Sequence, residues 1–337
     1  MDFRGKTTIA DVAIFHRTDF RYDYNSPKPQ RISEILGISQ MLTDAHVPHD
    51  FLVSLDELEN LQKYKVIFFG NIASLSDDEL IKIQDYVYAG GKIIISGVFG
   101  SLDQLYRKAS PDRFAKVSGV EYPEESISSA TQLAYSFAGR KNTLLSGRVP
   151  QICLNAEKIG LFTDETAAIT RNRYGQGVCI TTPLSFGMYN YEENLFPGRP
   201  WMYRYDLGAA ELLTDLLEAA EHTRYPVMTD RKIDKLLIES CQDVSDGKYY
   251  IQLLNLSTTV KAEYEKIPGT VDLDSKGFIQ LDKPLKLIVA FPLSTAQAAS
   301  QDFDGKRQLQ LKKLADGTTE IVIPPELLKI YTLITAY

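Results

Sequence analysis

The feature that most constrains this chain is the alternation, over residues 11–96, of short apolar runs with segments of helical period. Asp11-Val12-Ala13-Ile14-Phe15 is an apolar run suited to a buried parallel strand. Gln30 to Ala45 then reads as a helix, with Ile32, Ile35, Leu36, Met41, Leu42 and Ala45 falling mostly on one face. Phe51-Leu52-Val53 and Val66-Ile67-Phe68-Phe69 read as the second and third strands. Ser76-Asp77-Asp78-Glu79 is a capping box, in which the serine caps the helix start and the glutamate reaches back to it. Leu80, Ile83 and Val87 form the inner face of that helix, and Gly90-Gly91 ends it because glycine accepts a left-handed backbone. Lys92 to Ser96 is a fourth strand. Strands that alternate with helices predict a parallel sheet with right-handed crossovers.

The pattern then changes. Residues 110–185 carry strand-like runs such as Ile159 to Phe162 and Val178 to Thr181, with Tyr174-Gly175-Gln176-Gly177 as a hairpin turn. Tyr205 to His222 reads as a helix with Ala209, Leu213, Leu216, Leu217 and Ala220 inward, packed back on the sheet. Residues 223–235 are polar, contain Pro226 and are expected to form the linker. Beyond them no helical period persists. Six strand-like runs (235–240, 249–256, 285–291, 307–314, 319–324 and 331–337) predict a β-sandwich. The expected division is an α/β domain over 1–225 and an antiparallel sandwich over 226–337.

Composition sets further bounds. The 337 residues include 37 Lys plus Arg and 44 Asp plus Glu, a net charge of −7, which argues against nucleic acid or an anionic membrane as partner. Cys153, Cys179 and Cys241 are odd in number and lack a C-x-x-C spacing, which fits a reducing, cytoplasmic setting better than a disulfide framework or a zinc site. The first ten residues hold no apolar run of a signal peptide, and no apolar stretch is long enough for a membrane span.

The order of segments resembles a known family. Leu42 to Asp50, Leu61 to Ile67, Leu75 to Glu79 and Tyr86 to Lys92 together look like the non-catalytic β-galactosidase trimerisation domain of family forty-two glycoside hydrolases. Tyr174 to Gly177 and the closing helix are similar to it too. The resemblance implies a glutamine-amidotransferase-like, flavodoxin-like parallel sheet with flanking helices. It also implies a small β-sandwich after it, with Tyr250 to Asn255 as a well-marked strand. In that family the domain follows a catalytic barrel and holds trimers together. The resemblance therefore implies a homo-oligomer, or a glycoside hydrolase barrel as partner, with carbohydrate as a further candidate ligand.

No catalytic constellation is legible. Glutaminase chemistry needs a Cys on the turn after a central strand, activated by a His. The equivalent turn here is Ile95-Ser96-Gly97-Val98-Phe99-Gly100, without Cys and without the G-x-S-x-G elbow. Glycoside hydrolysis needs two facing carboxylates, usually at barrel strand ends. A barrel needs eight alternating units over at least about 200 residues, and about four are present. The pairs Asp77-Asp78, Glu124-Glu125 and Glu192-Glu193 diverge from each other and suit solvated faces or caps. His46-Val47-Pro48-His49-Asp50 could be drawn as a metal cluster, but Pro48 breaks the helical i, i+4 spacing that zinc often uses, so a polar turn is expected. No catalytic residue, metal or cofactor is therefore expected.

Two places remain as ligand or interface candidates. His16 and Arg17 follow the first strand, and Gly97 and Phe99 follow the fourth, at the edge where open α/β sheets bind ligands. Satisfied polar groups and tight-turn glycines are the blander reading there. Residues 186–205 contain the chain's only Trp among Tyr, Phe and Arg, residue types that anchor interfaces and stack on sugars. Within them Tyr189, Trp201, Tyr203 and Arg204 are the candidates, against the alternative of a loop tucked on its own domain. The leading expectation is a non-catalytic assembly region of a glycoside hydrolase. The competing one is a stand-alone carbohydrate-binding or regulatory module using the strand-end crevice.

Overall fold

A computed structural model describes residues 5–17, 30–55, 61–123, 127–188, 207–233, 236–255, 281–300, 303–328 and 330–337. Compactness divides the chain into two units. One comprises Asp11–Met41 and Asp50–Thr223, and the other Met1–Ala10, Leu42–His49 and Arg224–Tyr337.

The first unit begins with β2 (Val12–Phe15), whose four side chains are all buried, as a strand covered on both faces requires. It follows the short β1 (Lys6–Thr8). Helix α1 (Gln30–Asp44) leads to β3 (His49–Leu52), and then come β4 (Val66–Ser74), helix α2 (Asp77–Tyr88) and β5 (Lys92–Leu102). The capping box at Ser76 is present: its hydroxyl accepts from Glu79 N–H, and Glu79 accepts from Ser76 N–H. At the other end Gly91 N–H reaches Tyr86 O and Gly90 N–H reaches Val87 O, with Gly90 at φ 110°. That is a Schellman stop, and it needs glycine because the backbone is left-handed there.

After β5 come the short α3 (Ala115–Ser118) and β6 (Val120–Glu121), then β7 (Thr131–Phe137), β8 (Arg140–Arg148), β9 (Ile152–Cys153), β10 (Glu157–Phe162), β11 (Ala167–Tyr174), β12 (Gly177–Thr182) and β13 (Leu184–Ser185). One ten-stranded sheet runs β13-β8-β7-β10-β11-β12-β5-β4-β2-β3. The pairs β2–β4, β4–β5 and β12–β5 are parallel, whereas β12–β11, β11–β10, β10–β7 and β7–β8 are antiparallel. The strand-rich stretch after residue 110 thus extends the parallel sheet sideways. Tyr174 pairs with Gly177 across the expected hairpin turn, where Gly175 has φ 60°. Helix α4 (Leu207–Ala219) buries Ala209, Leu212, Leu213, Leu216 and Leu217, and Gly208 lets it approach β8 so closely that a Cβ would sit 1.9 Å from Thr143 O.

Several sequence expectations need correction. Strands β4 and β5 do not stop at Phe69 and Ser96. Gly70 pairs with Ser96, Ile72 with Phe99 and Ser74 with Leu102, so β5 uses three residues where β4 uses two, twice in succession. Gly97 at φ 66° and Gly100 at φ 58° absorb the two extra residues as β-bulges. The inner face of α1 is also rotated from the one expected. Ser33, Glu34, Ile35, Ile38, Met41 and Leu42 are buried while Leu36 is 39% exposed, because the helix leans on the side-chain-free backbone of Gly70. Finally, the stretch taken as linker contains a strand, β14 (Val227–Thr229).

The second unit packs two antiparallel sheets over one apolar core that includes Val227, Ile251, Leu253, Leu287, Ile321 and Ile334. Its remaining strands are β15 (Leu236–Asp243), β16 (Tyr249–Asn255), β17 (Leu285–Val289), β18 (Ala296–Ser300), β19 (Phe303–Gln308), β20 (Gln310–Lys313), β21 (Thr319–Ile323) and β22 (Tyr331–Ala336). The sheets run β1-β15-β16-β22-β18-β19 and β14-β17-β21-β20. The run 307–314 is therefore two strands in two sheets, switching at buried Leu309. Both are edge strands, and their exposed Lys306, Arg307, Lys312 and Lys313 discourage pairing with another chain. Residues Met1–Ala10 group here, outside the expected 226–337, because β1 pairs with β15 and Lys6 Nζ bonds Asp243 Oδ2 at 2.7 Å.

Candidate functional site

The C-terminal ends of the parallel strands are where an open α/β sheet holds a ligand. In this chain those ends carry a buried polar cluster. Ser96, at the last regular position of β5 before the first bulge, donates its hydroxyl to Glu34 Oε1 at 2.7 Å. Met188 N–H donates to Glu34 Oε2 at 2.9 Å, with a further backbone hydrogen bond from Gly187. Asn71, on β4 at φ 50°, accepts through Oδ1 from Val98 N–H at 3.1 Å and from the Ser185 hydroxyl at 3.0 Å. All four polar side chains (Glu34, Asn71, Ser96 and Ser185) are buried.

The electrostatics single out Glu34. Burial pushes its carboxyl from the ordinary 4.5 up to about 7, against the opposing pull of the Ser96, Met188 and Gly187 hydrogen bonds. Ser96 has a base-like neighbour but is 1% exposed, so no substrate carbonyl can reach it in this conformation. In this structure all four polar side chains at the strand ends are closed off from solvent.

The sequence candidates take separate places. His16 pairs through its N–H with Leu52 O at 2.8 Å, and its ring lies edge-on to Phe51 at 6.4 Å. Arg17 donates to Ser74 O at 2.8 Å and to the Glu79 carboxylate at 3.1 Å, fastening the start of α2. Gly97 lies under Asn71, where a Cβ would meet Oδ1 at 1.9 Å. Phe99 is enclosed by Phe69, Phe114 and Tyr122 at 5.6, 5.0 and 6.1 Å between ring centroids. It fills the core and does not line a crevice. Tyr189, Trp201, Tyr203 and Arg204 lie outside the described residues. His46 accepts through Nε2 from Ile233 N–H at 3.1 Å, and His49 Nδ1 contacts Val47 O at 3.0 Å, so both rings are engaged with backbone. Among the described residues no group of three or more His, Cys, Asp or Glu is placed to hold a metal, and no helix is long and apolar enough to cross a membrane.

Sequence reading missed Glu34, Asn71 and Ser185. Glu34 sits among polar residues that a helical wheel assigns to solvent. Only the backbone proximity of Gly37, Gly70 and Gly187 would have marked that side of α1 as buried, and it is not legible along the chain.

Comparison with known proteins bears on the whole architecture. The family model described as the β-galactosidase trimerisation domain matches residues 10–184. No curated protein sequence matches. Among solved structures, the β-galactosidase of Bacillus circulans sp. alkalophilus is similar at TM-score 0.60 and 14% identity, over 99% of this chain and 42% of that one. The α-L-fucosidase isoenzyme 2 of Paenibacillus thiaminolyticus is similar at TM-score 0.63 and 13% identity, over 99% and 49%. The β-galactosidase of Rahnella sp. R3 is similar at TM-score 0.58 and 16% identity, over 95% and 42%. At such identities the likeness is one of fold, and this chain spans less than half the length of each.

Proposed function

Because this chain belongs, over residues 10–184, to the β-galactosidase trimerisation domain family, we propose that it is a non-catalytic assembly and support region of a β-galactosidase-like glycoside hydrolase. The family match is the observation that carries the reading. The burial of Ser96 and Glu34 supports it, since in this closed conformation neither can reach a sugar. The finer description is a flavodoxin-type domain. The order β3-β2-β4-β5-β12 supports it, because in chain order these strands read 2-1-3-4-5. In this reading the α/β unit self-associates, as a trimer, or docks on a catalytic barrel, and the sandwich supports it. Three free thiols at Cys153, Cys179 and Cys241 fit a reducing cytoplasm.

Residues 186–205 supply interface contacts in this proposal, with Tyr189, Trp201, Tyr203 and Arg204 as anchors. A stable interface buries at least about 1,000 Å² in total. Truncating one central aromatic then costs roughly 2 kcal/mol, about a 30-fold loss of association. Light scattering is expected to show an oligomer that Trp201→Ala weakens, with circular dichroism unchanged. The purified chain is expected to turn over neither aryl glycosides nor glutamine. A monomer at high concentration that binds no barrel removes the assembly role. Turnover abolished by one carboxylate or Ser96 substitution removes the non-catalytic one.

A further inference from the structure

Two glycines bring α1 and the end of β13 into backbone contact. A Cβ on Gly37 would sit 2.0 Å from Gly187 O, and a Cβ on Gly187 would sit 2.2 Å from Glu34 O. Neither position admits another residue without the segments parting. Onto this contact the Glu34 carboxylate adds its bonds to Met188 and Gly187, and Ser96 ties the same carboxylate to β5. Glu34 therefore joins α1, β5 and residues 187–188 across the strand ends.

Among the described residues the groups facing this carboxylate are few. Strand β5 contributes the Ser96 hydroxyl, β4 contributes the bare backbone of Gly70 with Glu34 Cγ 2.9 Å from where its Cβ would stand, and residues 187–188 contribute two N–H groups. No charged side chain among the described residues acts on it. A buried carboxylate without a cation is costly when ionised, and the cheapest relief is water. The Gly187–Met188 backbone is held to α1 by Glu34 itself.

We propose that Glu34 is a proton-controlled latch: when protonated it keeps residues 187–188 closed over the ends of β4 and β5, and when ionised it releases them and opens the strand-end crevice to solvent. In the protonated form the carboxyl O–H donates to Ser96 Oγ while the other oxygen still accepts from Met188, so closure keeps its bonds without the charge. Opening exposes Ser96, Asn71 and Ser185 together. The proposal does not depend on the assembly role, and its test reads neither oligomer nor turnover.

The sign of the effect is fixed. A carboxyl raised from 4.5 to about 7 in the closed form favours closure fully below 4.5. That advantage is lost as pH climbs to 7, and it is flat above. The span of the two values corresponds to an opening constant that rises on the order of 300-fold. Amide hydrogen exchange of Gly187 and Met188 in the full chain, divided by the intrinsic rate at each pH, reads this directly between pH 5 and 8. Wild type is expected to rise on the order of 100-fold and level off near pH 7, whereas Glu34→Gln gives a flat profile, because its amide copies the protonated state. Ser96→Ala removes a donor that favours the charged form, so its plateau moves to higher pH; this second variant decides if Glu34→Gln fails to fold. A flat wild-type profile, an unaltered slope in Glu34→Gln or an unmoved plateau in Ser96→Ala overturns the latch.

Discussion

Phe99→Ala is expected to destabilise the protein by about 3–5 kcal/mol, the range for emptying a buried aromatic site. The ring is 1% exposed and packs against Phe69, Phe114 and Tyr122, and tilted or edge-on aromatic pairs add roughly 0.5–1.5 kcal/mol beyond area burial. The site has little room to collapse, because the double bulge on β5 fixes the backbone on either side. Chemical denaturation measures the loss. The result also separates two roles for the strand-end candidates. A wild-type-like midpoint combined with weakened ligand binding or assembly would place Phe99 at a surface and contradict the packing described above.

Asp215→Ala is expected to cost about 3 kcal/mol through a different mechanism. Asp215 lies on α4 and is buried, yet it accepts from Tyr135 Oη at 2.7 Å, from Asn142 Nδ2 at 2.8 Å and from Arg140 Nη2 at 2.6 Å. Burial raises its carboxyl above the ordinary range, while Tyr135 and Arg140 pull it back. Arg140 is half exposed and also reaches Glu218, so it returns to water cheaply. The expense falls on Tyr135 and Asn142, two buried donors left with only each other at 2.9 Å. Asp215→Asn keeps an acceptor and is expected to lose about 1 kcal/mol. Equal losses for the two substitutions, measured by denaturant titration, would show that volume and not hydrogen bonding decides the site.

What the sequence revealed follows from the range over which each signal acts. Helix α2 was legible at both ends, because Ser76 with Glu79 and Gly90-Gly91 are local codes for starting and stopping a helix. The buried faces of α2 and α4 were legible from period alone. The continuation of β5 was not, because Gly97 and Gly100 look the same in a turn and in a bulge, and only pairing with β4 tells them apart. Strand β18 was missed because its Ala-Gln-Ala-Ala-Ser sequence lacks β-branched and aromatic residues, and its place is set by neighbours β22 and β19. The polar cluster was the least legible part. Glu34, Asn71, Ser96 and Ser185 come from four separate segments, and the glycines that bring them together carry no pattern of their own.

The pairing of β1 with β15 has a consequence for how the molecule is made. Lys6 and Asp243 are 237 positions apart, so at a synthesis rate of about 5–20 residues per second the first strand waits roughly 10–50 s for its partner. The intervening α/β unit can assemble during that interval, since its own core needs nothing beyond residue 223. The β1–β15 sheet therefore pairs a strand made before the α/β unit with one made after it. Until it does, β15 carries an unpaired edge, which is the stage at which a nascent chain is most open to capture by another copy of itself.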